Sequence, residues 1–175
     1  MSRMLVRIAC LALLAMGLAG CRMTEEQRKA KQEEGVRNAF AELGAAIEVI
    51  PSGDTSQLWQ MLSRESRAAA EKRAKLLREE WLRADDREKN RLMLEVYHIT
   101  DGDELDKLTA RSYLKTEWFY SHYRELPGST TTGIDFRGER ATVRYLEKDR
   151  DGKEREELVT FIREDGEWKA DLKMP

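Results

Sequence analysis

Ile134-Asp135-Phe136-Arg137-Gly138-Glu139-Arg140-Ala141-Thr142-Val143-Arg144-Tyr145 decides the fold. Apolar side chains alternate with polar ones on both sides of Gly138, the period of strands with one face buried and one wet. The alternation continues in Val159 and Phe161, and again in Trp168, Ala170 and Leu172. Gly138, Asp151-Gly152 and Asp165-Gly166 separate the runs, and Asp-Gly is a strong hairpin signal. Residues 131–173 therefore read as a four-stranded antiparallel meander. Its apolar face needs a cover, and only the helical half of the chain can supply one.

That half has a different period. Val36, Phe40, Leu43, Ile47 and Ile50 recur at steps of four and three, the spacing of one buried helix face, and Pro51-Ser52-Gly53 ends the run. Asp54 with Gln57 reads as a capping box opening a short helix through Leu58, Trp59 and Leu62. A longer helix over 66–84 places Ala70, Ala74, Leu77 and Trp81 on one side, and Asp85-Asp86 caps a further one with Leu92, Val96 and Ile99 inside. A break at Thr100-Asp101-Gly102-Asp103 precedes a helical segment through Leu105 and Leu108. Residues 109–126 read as one helix, with Leu114, Trp118 and His122 four apart, and Pro127-Gly128 closes it. The expected fold class is α+β, N-terminal helices packed on a C-terminal meander.

The Phe40-Ala41-Glu42-Leu43 run, the Ser52-Gly53-Asp54 turn into Leu58-Trp59 and the closing Asp165-Gly166-Glu167-Trp168-Lys169 together resemble the nuclear transport factor 2-like superfamily over residues 36–175. The resemblance implies a sheet curled around helices into a cone. It also implies either a catalytically silent ligand-holding or assembly domain, or an isomerase, cyclase or dehydratase with an aspartate or histidine base and a tyrosine donor. The segment between Ser66 and Leu126 is longer and more charged than that superfamily's usual three helices, so a different α+β sandwich is an alternative.

Ahead of this domain, Arg3 and Arg7 precede an apolar run from Ile8 that ends in Leu18-Ala19-Gly20-Cys21. A positive start, a short apolar stretch and small residues at a cleavage point make a secretory signal; the run is too short for a span of about 20 residues. The motif resembles a bacterial lipobox, which implies cleavage before Cys21 and a diacylglyceryl group on its thiol. Residues 1–20 are then a signal peptide, 21–35 a lipidated N-terminus with a charged tether, and 36–175 one domain. Two or more acyl chains give a firm anchor at about 0.8 kcal/mol per buried methylene. Arg22, rather than the aspartate that holds lipoproteins in the inner membrane, points to the outer membrane facing the periplasm in a Gram-negative source.

Of 31 basic residues the leader removes two, leaving 29 against 33 acidic, and a net charge near −4 gives no electrostatic case for nucleic acid. Cys10 leaves with the leader and Cys21 becomes a thioether, so disulfides, thiolate metal sites and cysteine nucleophiles drop out. The two histidines, His98 beside Asp101-Gly102-Asp103 and His122 among aromatics, read as a helix end and a packed or half-exposed side chain. Asp149-Arg150-Asp151-Gly152 lacks the later ligands of a calcium loop and reads as a hairpin tip. No motif for a cofactor, a metal or a hydrolase nucleophile occurs. The run Arg64 to Arg91 mixes both signs along a helix face that is accounted for by its apolar stripe. What remains is aromatic: at helical and strand spacing these side chains read first as core packing, and Tyr113, Trp118, Tyr145, Phe161 and Trp168 are the candidate ligand pocket beside that reading. The expectation is a non-enzymatic, membrane-anchored lipoprotein that binds an envelope protein or a small apolar ligand. The alternatives are an isomerase- or cyclase-like enzyme and a structural envelope assembly protein.

Overall fold

Tight two-residue turns set the sheet. A computed structural model of the chain describes residues 23–93, 102–148 and 152–175. It carries β1 (Thr130–Arg137), β2 (Arg140–Lys148), β3 (Glu154–Glu164) and β4 (Glu167–Asp171) in one antiparallel sheet of order β1-β2-β3-β4. Gly138 takes φ +60° at the first position of the β1–β2 turn; Asp165 and Gly166, at +53° and +88°, make the primed turn that matches strand twist. The registers Arg137↔Arg140, Ala141↔Phe161 and Phe161↔Ala170 bring Phe136, Ala141, Phe161 and Ala170 into one row. Val143 and Val159 form the next row, and Tyr145 faces Glu157 beyond it. The meander predicted from the alternation is present; Asp149, Arg150 and Asp151 lie outside the described residues.

The chain divides into two units, Met1–Glu34 and Gly35–Pro175. In the first, the described residues are almost all exposed and open α1 (Glu25–Glu48), where Thr24 and Gln27 exchange capping hydrogen bonds of 2.9 and 3.2 Å. In the second, α1 buries Val36, Phe40, Leu43 and Ile47, the predicted stripe, and the Phe40 ring lies 5.4 Å from that of Tyr145. Gly44 of the same helix backs onto the Leu126–Gly128 3₁₀ turn, where an added Cβ would sit 3.3 Å from Pro127 Cα.

α2 (Ser56–Met61) and α3 (Arg64–Arg83) follow. The expected Asp54/Gln57 box does not form. Thr55 is the N-cap, and Asp54 instead accepts the Ser56 N–H at 2.8 Å, which lowers the pKa of its carboxyl. α3 begins two residues earlier than predicted because Ser63, not a later residue, caps it through the Ser66 N–H. Ala70, Ala74, Leu77 and Trp81 are its buried stripe, and Trp81 Nε1 donates to Asp106 at 2.8 Å. Asp85 caps α4 (Asp86–Arg91) as predicted. Val96, His98, Ile99 and the break through Asp101 lie outside the described residues; α5 (Gly102–Asp106) follows.

The single helix expected over 109–126 is two. α6 (Ala110–Tyr113) and α7 (Glu117–Tyr123) start at Thr109 and Thr116, whose hydroxyls accept the Ser112 and Phe119 N–H groups. Two threonine caps seven residues apart outcompete a continuous ladder. The break turns Tyr113, Phe119 and Tyr123 together into the core, with Phe119 5.0 Å from the Tyr123 ring.

Candidate functional site

β4 stops early, and the groove follows from that. Its register with β3 ends at Thr160↔Asp171. Beyond it the chain is drawn off the sheet by the helices. Ser66 Oγ accepts the Leu172 N–H at 2.8 Å, Tyr123 donates to Lys173 O at 2.8 Å, and Arg73 Nε and Tyr113 donate to Pro175 O at 2.9 and 2.6 Å. The lower half of β3, Glu154 to Val159, is left paired with β2 alone among the described residues.

The space between that half-strand, the departing tail and α7 is an open groove of about 590 Å³. Tyr145, Val159 and Leu172 make its apolar floor; Ser121 and His122 of α7 stand along one side. Glu147, Arg155 and Glu157 line the rest, with Thr142 on β2, Leu158 and Thr160 on β3, Asp171 at the end of β4 and Lys173 on the tail.

Strand parity explains the charges. Counting by two from Val143 and Tyr145 reaches Glu147, and counting back from Phe161 and Val159 reaches Glu157 and Arg155, so the face that is apolar over the core turns ionic past it. Within 4 Å no ion pair ties Glu147, Arg155 or Glu157 to another described residue. Burial first, and the neighbouring Glu157 carboxylate next, raise the Glu147 pKa, against the opposing pull of Arg155 and His122. The Tyr145 hydroxyl is pushed up by burial and then by Glu147 and Glu157, and Tyr123 chiefly by burial. Both phenols stay neutral. Tyr123 already donates its proton to Lys173 O, so the groove offers the Tyr145 hydroxyl over an apolar floor, with two like-charged carboxylates that a cation would relieve.

Of the five predicted pocket residues, only Tyr145 lines this groove. Tyr113 and Phe161 are fully buried in the core, with Tyr113 edge-on to Phe119 at 6.2 Å. Trp118 stands 37% exposed on α7, outside the groove. Trp168 is half-buried, 6.0 Å from Phe136, and lines a separate depression of about 310 Å³ with Gly35 and Met61. The five do not line one pocket, although Tyr113, Tyr145 and Phe161 share one core cluster with Trp168 packed against it. The ionic members, Glu147, Arg155 and Glu157, were missed although strand parity marks them. His122 borders the groove with its ring perpendicular to that of Tyr123 at 4.7 Å; His98 lies outside the described residues. Comparison of the chain with protein-family models, with curated proteins and with solved structures returned no match.

Proposed function

We propose that this chain is an exported bacterial lipoprotein, anchored through Cys21 and facing the periplasm from the outer membrane in a Gram-negative source, whose domain binds an envelope protein without catalysing a reaction. The leader and Leu18-Ala19-Gly20-Cys21 support the anchor. Among the described residues no helix is long and apolar enough to cross a membrane.

The groove is the observation that carries partner binding. The sheet face under α1 is packed with Phe40, Val143, Val159 and Phe161, all buried, so that face belongs to the core. The groove beside α7 is instead open along a strand edge and lined by charge, a surface suited to a polypeptide more than to a small apolar molecule.

The test has two parts on the native chain expressed with its own leader in a bacterium. Intact mass should show a mature N-terminus at Cys21 carrying acyl groups, and Cys21→Ser should move the chain out of the membrane fraction. A photo-crosslinker placed at Ser121 should give one discrete heavier adduct, absent when it is placed at Glu139 on the β1–β2 turn. An unacylated chain refutes the anchor, and identical adducts from both positions refute the groove.

A further inference from the structure

The geometry points to strand addition: the lower edge of β3, Glu154 to Leu158, accepts an extended segment of a partner protein as a fifth strand, selected by charge complementary to Glu157, Glu156 and Arg155. This inference rests on the partner-binding reading above and specifies the partner's chemistry.

Backbone direction comes first. Arg163 N–H is aimed at β2, bonding Glu139 O at 2.8 Å. Alternation along an unbulged strand then aims odd-numbered amides of β3 at β2 and even-numbered ones at the other side. Thr160 and Ile162 spend theirs on Asp171 and Lys169 of β4. Glu154, Glu156 and Leu158 have no strand opposite them among the described residues, because the tail has been pulled away onto Ser66, Tyr123, Arg73 and Tyr113.

The other edges of the sheet are managed. Leu62 bridges Ala170, and the Ser63 N–H bonds Ala170 O at 2.8 Å, so the α2–α3 connection covers β4. β1 carries a register shift between Thr131 and Gly133, a bulge that discourages pairing. Among the described residues the lower edge of β3 has no cover and no bulge, and it faces a groove wide enough for side chains.

Charge then selects the occupant. Self-pairing of two copies puts a like-charged pair at its centre: antiparallel registers centred on Arg155, Glu156 or Glu157 each set that residue against its own copy, and of the three only the Glu156 register offsets this, with two Arg155–Glu157 pairs. A complementary strand avoids this. Antiparallel to β3, it would place an apolar residue opposite Leu158, which is 62% exposed, basic residues opposite Glu157 and Glu156, an acidic one opposite Arg155 and a basic one opposite Glu154. Main-chain bonds would supply affinity and these pairs the specificity.

The experiment uses the full chain in detergent and a labelled ten-residue peptide, ends blocked, with Val-Lys-Lys-Glu-Lys at its centre, followed by fluorescence anisotropy. A second peptide, with Val-Glu-Glu-Lys-Glu at the same place, is the control. The first should bind about tenfold or more tightly than the second, since its four charge pairs are attractive where the second peptide's are repulsive, the main-chain edge bonds being common to both. Leu158→Pro removes an edge donor without touching the ladder to β2 and should weaken binding about tenfold at an unchanged melting temperature. Should that variant fold poorly, Glu157→Lys is the second reading; it should narrow or reverse the preference between the peptides. Equal binding of both peptides, or no binding of either, overturns strand addition, as does insensitivity to both substitutions. The Ser121 crosslink separates this failure from that of the parent reading: an adduct in cells with no peptide binding leaves a groove partner and removes only the fifth strand.

Discussion

Ser66 tests the latch that opens the groove. Its hydroxyl, in a residue only 1% exposed, accepts the Leu172 N–H at 2.8 Å and sits within 3.1–3.4 Å of Ser63 Oγ, Asp171 Oδ1, Leu172 O and Ala170 O. Ser66→Ala leaves the Leu172 amide without that acceptor in a closed environment, which costs about 1–3 kcal/mol. Alanine returns about 0.5 kcal/mol of helix propensity, and the Ser63 cap on the Ser66 N–H survives the change. The net loss is about 1.5 kcal/mol, or roughly 6 °C in melting temperature for a domain of this length. Equilibrium urea unfolding followed by tryptophan fluorescence reads it directly, with Ser121→Ala, at an exposed position, as a control expected within about 0.5 kcal/mol of the parent. An unchanged urea midpoint for Ser66→Ala would mean that the Leu172 amide is satisfied elsewhere. The tail would then not be held by α3, and the origin assigned to the groove would fall.

Three buried tyrosines set a limit on the alkaline side. Tyr113 is pushed up to about 12, burial outweighing the nearby Arg73, and Tyr123 and Tyr145 are raised as well, so their neutral forms are favoured by folding. Stability should be intact below pH 10 and fall as pH rises through about 12, with Tyr113 alone worth about 3 kcal/mol; phenolate absorbance near 295 nm should appear together with unfolding, and early, reversible ionisation of all five tyrosines would contradict the burial. Phe161→Ala should cost about 4 kcal/mol and Trp168→Ala, half-buried at the sheet edge, only about 2, by the same urea assay; the reverse order would mean that the rows of the sheet are misassigned. Under the proposed maturation acylation of Cys21 would remove the last thiol, so reductant should leave the stability of the mature chain unchanged; a melting temperature lowered by dithiothreitol would contradict that maturation.

The meander was legible because Asp165-Gly166 and Gly138 mark turns and the alternation around them is clean. Helix faces were legible for the same reason: Val36, Phe40, Leu43 and Ile47 have one period and one buried side. The division of residues 109–126 was not read, although Thr109 and Thr116 carried it, because the four-residue spacing of Leu114, Trp118 and His122 concealed two caps. The groove was read least. An aromatic list cannot separate Tyr113 and Phe161, which fill the core, from Tyr145, which reaches its margin. What makes the groove is a tertiary event, the withdrawal of Leu172 to Pro175 from β3, and its donors Arg73, Tyr113 and Tyr123 lie 50 to 102 residues from the carbonyls they hold. Strand parity alone would have placed Glu147 and Glu157 beside Tyr145, because both share its face.

Residue-resolved amide exchange on the free chain tests the open β3 edge most directly. The even-numbered amides of one strand should divide at the point where β4 leaves it: Thr160 and Ile162 protected near the global limit, Glu156 and Leu158 exchanging faster by several orders of magnitude. Equal protection along all four would show that the edge is already occupied, and would contradict both the groove's origin and the partner strand it is held to accept.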